Sequence, residues 1–271
     1  MAIDFNKYIN STGTHYISNS GKDERNAYHG GKAGDQTGHE WELKSWYNRP
    51  WTVVLRWPDI NVGLQMAKLG IAAALNNKIG YDQYQRTTYW KQLEKVGYDP
   101  SKITEPCEED CTAGVCANCK AAGCLMDIKG LKDLPISVYS GNMKSVFVKA
   151  GFRALTAKKY LTGTAYLLPG DVLLYEGHHA AMNITYGKSS KKEVITAPPK
   201  DIKTAKRVLI TGGLVNVRSA PSLDGRILGV VKEGTQLSYQ GETRKDGSRN
   251  WLLVIYNNEN AWVSDRYAEV L

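Results

Sequence analysis

The chain has 271 residues, of which 42% are hydrophobic and 23% are charged, and its formal net charge is +8. This composition is that of a globular protein and excludes a fibrous or disordered chain, and the length allows one large domain and one small domain. The longest apolar stretch, residues 62–75, contains Gln65 and Lys68 and is too short to cross a bilayer, so we predict no membrane span.

Three helices are predicted in the first half of the chain. Asp59 is a good N-cap for a helix that runs over residues 59–77. A second helix is predicted over residues 81–96, because a proline follows shortly after it. A third is predicted over residues 111–123, where a run rich in alanine ends at a glycine.

The order of elements then changes toward strands. We predict one further helix over residues 143–150 and strands over residues 171–175, 179–186 and 193–197. Helices that precede antiparallel strands with short connections are typical of an α+β domain. This domain is expected to span residues 1–195.

The last part of the chain has a different pattern. Residues 196–207 combine a Pro-Pro pair with lysines and show no regular period, which indicates a linker. Residues 208–271 contain short β-rich runs separated by turn signals, which predict a small all-β barrel.

All five cysteines fall within residues 107–124, and their number is odd. A disulfide framework would be spread more widely, so reduced thiols are expected, with at least one kept for chemistry. Cys116 and Cys119 are spaced as in some zinc sites, but no matching second pair accompanies them. We therefore predict neither a metal nor a cofactor.

Cys111 and His179 are the candidate catalytic pair. Cys111 opens a predicted helix, where free backbone N–H groups and the helix dipole stabilise a thiolate. His179 opens a predicted strand and shares a face with Ala181 and Asn183, whereas His178 points to the opposite, more apolar face. A small and polar face suits an open site, so His179 is predicted to be the base.

Three ordered motifs resemble the NlpC/P60 family of papain-like hydrolases. They are Asp110-Cys111-Thr112, the strand that begins Gly170-Asp171, and His179-Ala180-Ala181-Met182. The resemblance implies a papain-like fold and cleavage of amide bonds in peptidoglycan stem peptides, commonly γ-D-glutamyl bonds. It also implies Cys111 as nucleophile and His179 as base, with Asp110 and Thr112 placed to contact the substrate.

Two further site positions follow from this resemblance. The family has a polar residue that orients the histidine on the strand after it, and here Thr196 or Glu193 could take that place, which we leave unassigned. Residues 30–51 resemble the opening of lysins encoded by phages of Gram-positive bacteria. Within them, Gln36 could donate a hydrogen bond to the oxyanion, as an upstream amide does in papain-like enzymes.

The C-terminal segment resembles the bacterial SH3-like family. The matching residues are the run from Gly213 to Pro221, Gly234-Thr235, Trp251 and Ala261-Trp262-Val263. The resemblance implies binding to peptides or glycans of the bacterial cell wall. Residues 188–207 hold seven lysines and arginines against two acidic residues, a patch that could also attract anionic wall polymers. We predict no nucleic-acid partner.

These features together predict an endolysin that acts on the cell wall. The first ten residues show no secretory signal, so synthesis in the cytoplasm and holin-type release are expected. One alternative is an N-acetylmuramoyl-L-alanine amidase with the same cysteine and histidine. Another is a non-catalytic wall-binding protein, and a third is a zinc-stabilised protein that binds polyanions. The sequence leaves the oligomeric state, the host and the wall chemotype open.

Overall fold

The computed structural model describes residues 3–190, 207–256 and 259–271. The chain divides into two compact units, Met1–Ile195 and Thr196–Leu271. The predicted strand at 193–197 and all but the last residue of the predicted linker lie outside the described residues. So do most of the basic patch and both candidates for the orienting residue, Glu193 and Thr196.

A six-stranded antiparallel sheet forms the centre of the first unit. Its strands lie in the order β2-β1-β8-β7-β3-β6. Their bounds are β1 Tyr16–Ser20, β2 Trp41–Ser45, β3 Val53–Arg56, β6 Arg153–Leu155, β7 Val172–Tyr175 and β8 His179–Asn183. Because β1 pairs with β8, the N-terminal segment lies directly beside the strand that carries the candidate base.

Seven helices and a separate pair of short parallel strands complete the described part of this unit. The strands are β4 Ile79–Tyr81 and β5 Cys107–Glu109. The helices are α1 Phe5–Ile9, α2 Ile60–Ala74, α3 Thr88–Lys95, α4 Cys111–Met126, α5 Lys129–Lys132, α6 Met143–Ala150 and α7 Lys158–Leu161, with a 3-10 turn at Pro100–Lys102. The predicted mixture of helices and strands is confirmed, and its finer classification as papain-like stays a prediction.

Three predicted helix boundaries and one strand boundary were wrong. The helix expected to reach residue 77 ends at Ala74, because the chain turns there and enters β4 at Ile79. The strand expected over residues 179–186 ends at Asn183.

The helix expected from residue 81 begins at Thr88, because Tyr81 belongs to β4 and is paired with Glu109 of β5. The helix expected to end at Gly123 continues to Met126. Gly123 instead allows α4 to pack closely against the next helix, since a Cβ at this position would overlap the Cβ of Leu131.

The core of the first unit lies where α2 and α4 pack against the sheet. Met66 on α2 and Cys116 on α4 are fully buried in it, together with Met182 on β8. All five residues of β8 are buried. Burial of this strand on both sides fixes its position relative to α4, and both elements contribute to the candidate site.

The second unit is an all-β domain with its own core. Seven antiparallel strands lie in the order β11-β10-β14-β13-β12-β9-β15. They are β9 Arg207–Ile210, β10 Leu214–Arg218, β11 Ile227–Lys232, β12 Gln236–Asp246, β13 Arg249–Tyr256, β14 Glu259–Ser264 and β15 Ala268–Val270. Val208, Val217 and Val254 are among the fully buried residues. This architecture agrees with the predicted SH3-like domain.

Candidate active site

Cys111 is the first residue of α4, and the residue before it determines where the helix begins. The carboxylate of Asp110 accepts hydrogen bonds from the backbone N–H groups of Thr112, at 2.9 Å, and Ala113, at 2.8 Å. Aspartate is a strong N-cap because it satisfies N–H groups that have no partner within the helix. The cap therefore holds the cysteine at the helix N-terminus, where the sequence predicted it.

The sulfur of Cys111 lies against β8. The backbone N–H of Ala180, the residue that follows His179, lies close enough to the sulfur to lower the pKa of the thiol in part. Cys111 and His179 also line the same cleft. Packing of α4 against β8 thus brings together two residues that are far apart in the sequence.

His179 is buried, with an exposed fraction of 6%, and its ring is held from two sides. Its Nε2 lies 3.0 Å from Oδ1 of Asn19 on β1. The indole of Trp51 stacks near the imidazole, with 6.1 Å between ring centroids. His178, in contrast, is exposed and stacks on Tyr175 at 4.2 Å.

Burial favours the uncharged forms of both candidate catalytic groups. Burial raises the pKa of the Cys111 thiol to about 12, and the neighbouring carboxylate of Asp110 adds to this. Burial also lowers the pKa of His179 to about 3, and the positive charge of Arg49 contributes. The sequence-based expectation of a thiolate at the helix start is therefore opposed by desolvation, and the resting pair is a thiol and a neutral imidazole.

Asn19 was not found by sequence reasoning, which searched only downstream of the histidine. Its Oδ1 also accepts a hydrogen bond from the hydroxyl of Tyr47 at 3.0 Å, and Nη1 of Arg49 donates to that hydroxyl at 3.3 Å. The sequence around Asn19 offers no local signal for this role, because the contact with His179 arises from the pairing of β1 with β8.

Asp110 and Thr112 are bound to protein groups rather than open to the cleft. Nη2 of Arg86 donates to Asp110 Oδ1 at 3.0 Å and to Thr112 Oγ1 at 2.8 Å. The same nitrogen donates to the carbonyl oxygen of Val138 at 2.6 Å. These contacts stabilise the start of α4, and contact of the two residues with substrate stays a prediction.

The amide of Gln36 is also engaged locally, since it donates to the carbonyl oxygens of Ala33, at 3.0 Å, and Gly34, at 2.8 Å. A different amide, that of Gln83, lines the cleft together with Cys111. Gln83 donates to the hydroxyl oxygen of Tyr81 at 3.1 Å. The role predicted for Gln36 is untested, and Gln83 and Tyr81 are new candidates for it.

The cleft has a volume of about 790 Å³ and is lined mostly by polar residues. Its walls come from β1 and β2, the segment between these strands, the segment after β2, and the turn before β8. Both signs of charge are present, in Lys22, Asp23, Glu24, Glu42, Lys44 and Arg49. A cleft of this size and polarity is suited to a short peptide that carries both amines and carboxylates.

The described residues contain no group of three or more histidine, cysteine or acidic side chains arranged to hold a metal ion. All five cysteines are free thiols, and Cys107, Cys116 and Cys119 lie in the hydrophobic core. Within the described ranges, no helix has both the length and the apolar character needed to cross a bilayer.

Comparison with known proteins gives the chain a family. A family described as an endolysin-like domain matches residues 17–190, which is more than half of the chain, and a bacterial SH3 domain matches residues 212–269. Among curated proteins, no match was found. The match is to an endolysin-like domain, and the more specific resemblance to the NlpC/P60 family stays a prediction. The chain belongs to the endolysin-like domain family, which indicates an enzyme that hydrolyses peptidoglycan, and it carries a bacterial SH3 domain at its C-terminal end.

Proposed function

We propose that the protein is an endolysin that cleaves an amide bond in peptidoglycan stem peptides, with Cys111 as nucleophile and His179 as general base. One observation carries the proposal. The thiol at the start of α4 and the imidazole at the start of β8 line one cleft, because α4 packs against β8.

The reaction begins from an uncharged pair. The Cys111 thiol transfers its proton to Nδ1 of His179 as the sulfur attacks the scissile carbonyl carbon. The protonated imidazole then gives this proton to the leaving amine as the carbon–nitrogen bond breaks, which leaves a thioester on Cys111. Water, deprotonated by His179, hydrolyses the thioester and regenerates the thiol.

Two donors can stabilise the oxyanion that forms during attack. Asp110 takes the N–H groups of Thr112 and Ala113, whereas no hydrogen bond of the Cys111 N–H is found among the described residues. The Tyr81 hydroxyl accepts from Gln83 and so retains its own proton to donate. Preorganised donors of this kind commonly contribute about 10²–10³ in kcat.

The cleaved bond is proposed to be a γ-D-glutamyl bond in the stem peptide. The mixed charges of the cleft support this, because the stem offers a carboxylate on the glutamyl side of that bond and an amine on the diamino acid side. The SH3 domain is proposed to hold the enzyme on peptidoglycan, with anionic wall polymers as a further partner. Synthesis in the cytoplasm and holin-type release complete the proposed role.

Turbidity of Gram-positive cell walls tests this proposal directly. Wild type should clear the suspension, and Cys111→Ala should not. Cys124→Ser is the matched control, since Cys124 lies on the same helix but is only partly buried. Mass spectrometry of the products then identifies the bond, because an endopeptidase creates a new amine within the stem and an amidase releases the intact stem. Clearing by Cys111→Ala would refute the mechanism.

A further inference from the structure

A line of three polar side chains leads from the cleft wall to the imidazole of His179. Nη1 of Arg49 is 3.3 Å from the hydroxyl oxygen of Tyr47, and this oxygen is 3.0 Å from Oδ1 of Asn19. That same Oδ1 is 3.0 Å from Nε2 of His179. Asn19 comes from β1, while Tyr47 and Arg49 lie in the segment between β2 and β3.

The direction of each hydrogen bond in this line follows from the chemistry of its first member. A guanidinium group only donates, so the Tyr47 oxygen accepts from Arg49. The Tyr47 hydroxyl therefore uses its single proton to donate a hydrogen bond to Asn19. Only the oxygen of the Asn19 amide can accept this bond, because the amide nitrogen is a donor. The amide oxygen is therefore fixed toward the histidine.

An amide oxygen can bond only to a protonated ring nitrogen. The proton of the neutral His179 imidazole consequently lies on Nε2, and Nδ1 has a free lone pair. This is the tautomer that the proposed mechanism needs, because Nδ1 has to accept the proton of Cys111. The opposite tautomer would present an N–H to the thiol and could not act as a base.

We propose that Tyr47 and Arg49 are positioning residues that set the tautomer of His179 by fixing the orientation of the Asn19 amide. The proposal rests on the Cys111–His179 mechanism and deepens it. Without the Tyr47 hydroxyl, the Asn19 amide is free to turn over and donate its NH₂ group to Nε2, which stabilises the unproductive tautomer.

The surroundings hold this line in place. Tyr47 packs against the buried Trp51, with 6.0 Å between ring centroids, and Trp51 in turn stacks near His179. The guanidinium of Arg49 lies over the ring of Tyr175, 6.0 Å from its centroid. A side chain fixed by packing loses less entropy when it makes a directed hydrogen bond, which suits a positioning role.

Tyr47→Phe removes one hydroxyl and tests the proposal. We expect kcat to fall roughly tenfold or more, with KM changed less than about twofold, because the base is mispositioned while substrate contacts stay. Tyr139→Phe is the control, since Tyr139 is 57% exposed and does not line the cleft. The variants should keep the thermal unfolding midpoint of wild type.

A readout that does not depend on activity is the ¹⁵N spectrum of the histidine rings, recorded in the Cys111→Ala background. The ring nitrogens of a neutral imidazole differ strongly in shift according to which one is protonated, and His179→Gln assigns the signal. We expect a protonated Nε2 in the parent protein and a mixture or a protonated Nδ1 after Tyr47→Phe.

Asn19→Asp distinguishes the effect of Tyr47 on the orientation of the Asn19 amide from any other effect of losing the Tyr47 hydroxyl. Both oxygens of a carboxylate accept, so an aspartate keeps the proton on Nε2 whichever way it turns. In this background, Tyr47→Phe should change kcat less than about twofold. A Tyr47→Phe protein with wild-type kcat, or with reduced kcat but an unchanged His179 tautomer, would overturn the proposed positioning role of Tyr47 and Arg49. Activity of Cys111→Ala would instead overturn the proposed function itself.

Discussion

At the scale of single residues, desolvation determines the charge of the Cys111–His179 pair. Both side chains are more than nine-tenths buried, and each pKa is shifted in the direction that removes charge. Arg49 lowers the pKa of His179 further, because its positive charge disfavours protonation of the nearby imidazole. The resting site is therefore uncharged, and in the proposed mechanism proton transfer accompanies attack rather than preceding it.

The pH dependence of alkylation tests this charge state. Iodoacetamide reacts with the thiolate, so with a thiol pKa of about 12 the rate at Cys111 should rise about tenfold per pH unit between pH 7 and pH 9. Cys111→Ser provides the background reaction of the other thiols. A rate that is already constant from pH 6 upward would mean that the pair rests as thiolate and imidazolium.

The sequence predicted Cys111 and His179 because each opens an element whose start has a recognisable signal. Asp110 is a strong N-cap, and the glycine before His178 indicates a turn. Asn19 carries no comparable signal. Its contact with His179 depends on the pairing of β1 with β8, whose residues are separated by most of the domain, and local patterns do not encode such pairings.

At the scale of elements, one arginine connects the start of α4 to another segment. Arg86 precedes α3 and binds Asp110, Thr112 and the carbonyl oxygen of Val138. Its side chain is 20% exposed and that of Asp110 is 12% exposed, so solvent screens the ion pair only partly. The pair should therefore couple the stability of α4 to the segment before α3.

A double-mutant cycle measures this coupling. Arg86→Met and Asp110→Asn should each lower the free energy of unfolding, and their coupling energy should be about 1–3 kcal/mol. Asparagine keeps the helix cap, so the loss reports the ion pair rather than the cap. Urea unfolding of the four proteins gives the values. Strictly additive effects would show that Arg86 does not stabilise the start of α4 through Asp110.

Elements with strong local signals were predicted well, and those without them were missed. The N-cap of α2 at Asp59 accepts from the N–H of Asn61, and α6 has the predicted bounds. The strands β1 and β2 were not predicted, because each is only five residues long and contains several polar residues. They form one edge of the sheet and supply a wall of the cleft, so the sequence missed the elements that complete the site.

At the scale of the whole molecule, two units with separate cores divide the proposed work. The first contains the cleft, and the second contains a seven-stranded sheet with its own buried residues. Separate cores allow each unit to fold alone. Binding by the second unit raises the concentration of the first at an insoluble substrate without changing its chemistry.

Removal of residues 196–271 tests this division. The truncated enzyme should hydrolyse soluble stem peptides with the kcat/KM of the full chain, within about twofold. On intact walls it should be slower by roughly tenfold or more, because the gain in effective concentration is lost. Equal rates on walls would show that the SH3 domain does not target the enzyme, and loss of activity on soluble peptides would show that the cleft depends on it.

The most direct test of the central claim is capture of the acyl-enzyme. Wild type is mixed with soluble stem peptide, quenched in acid within milliseconds to seconds, and analysed by intact mass and peptide mapping. We expect an added acyl fragment of the stem, attached as a thioester to Cys111 and absent from Cys111→Ala. An active enzyme that never carries a fragment, or that carries it on another residue, would contradict Cys111 as the nucleophile.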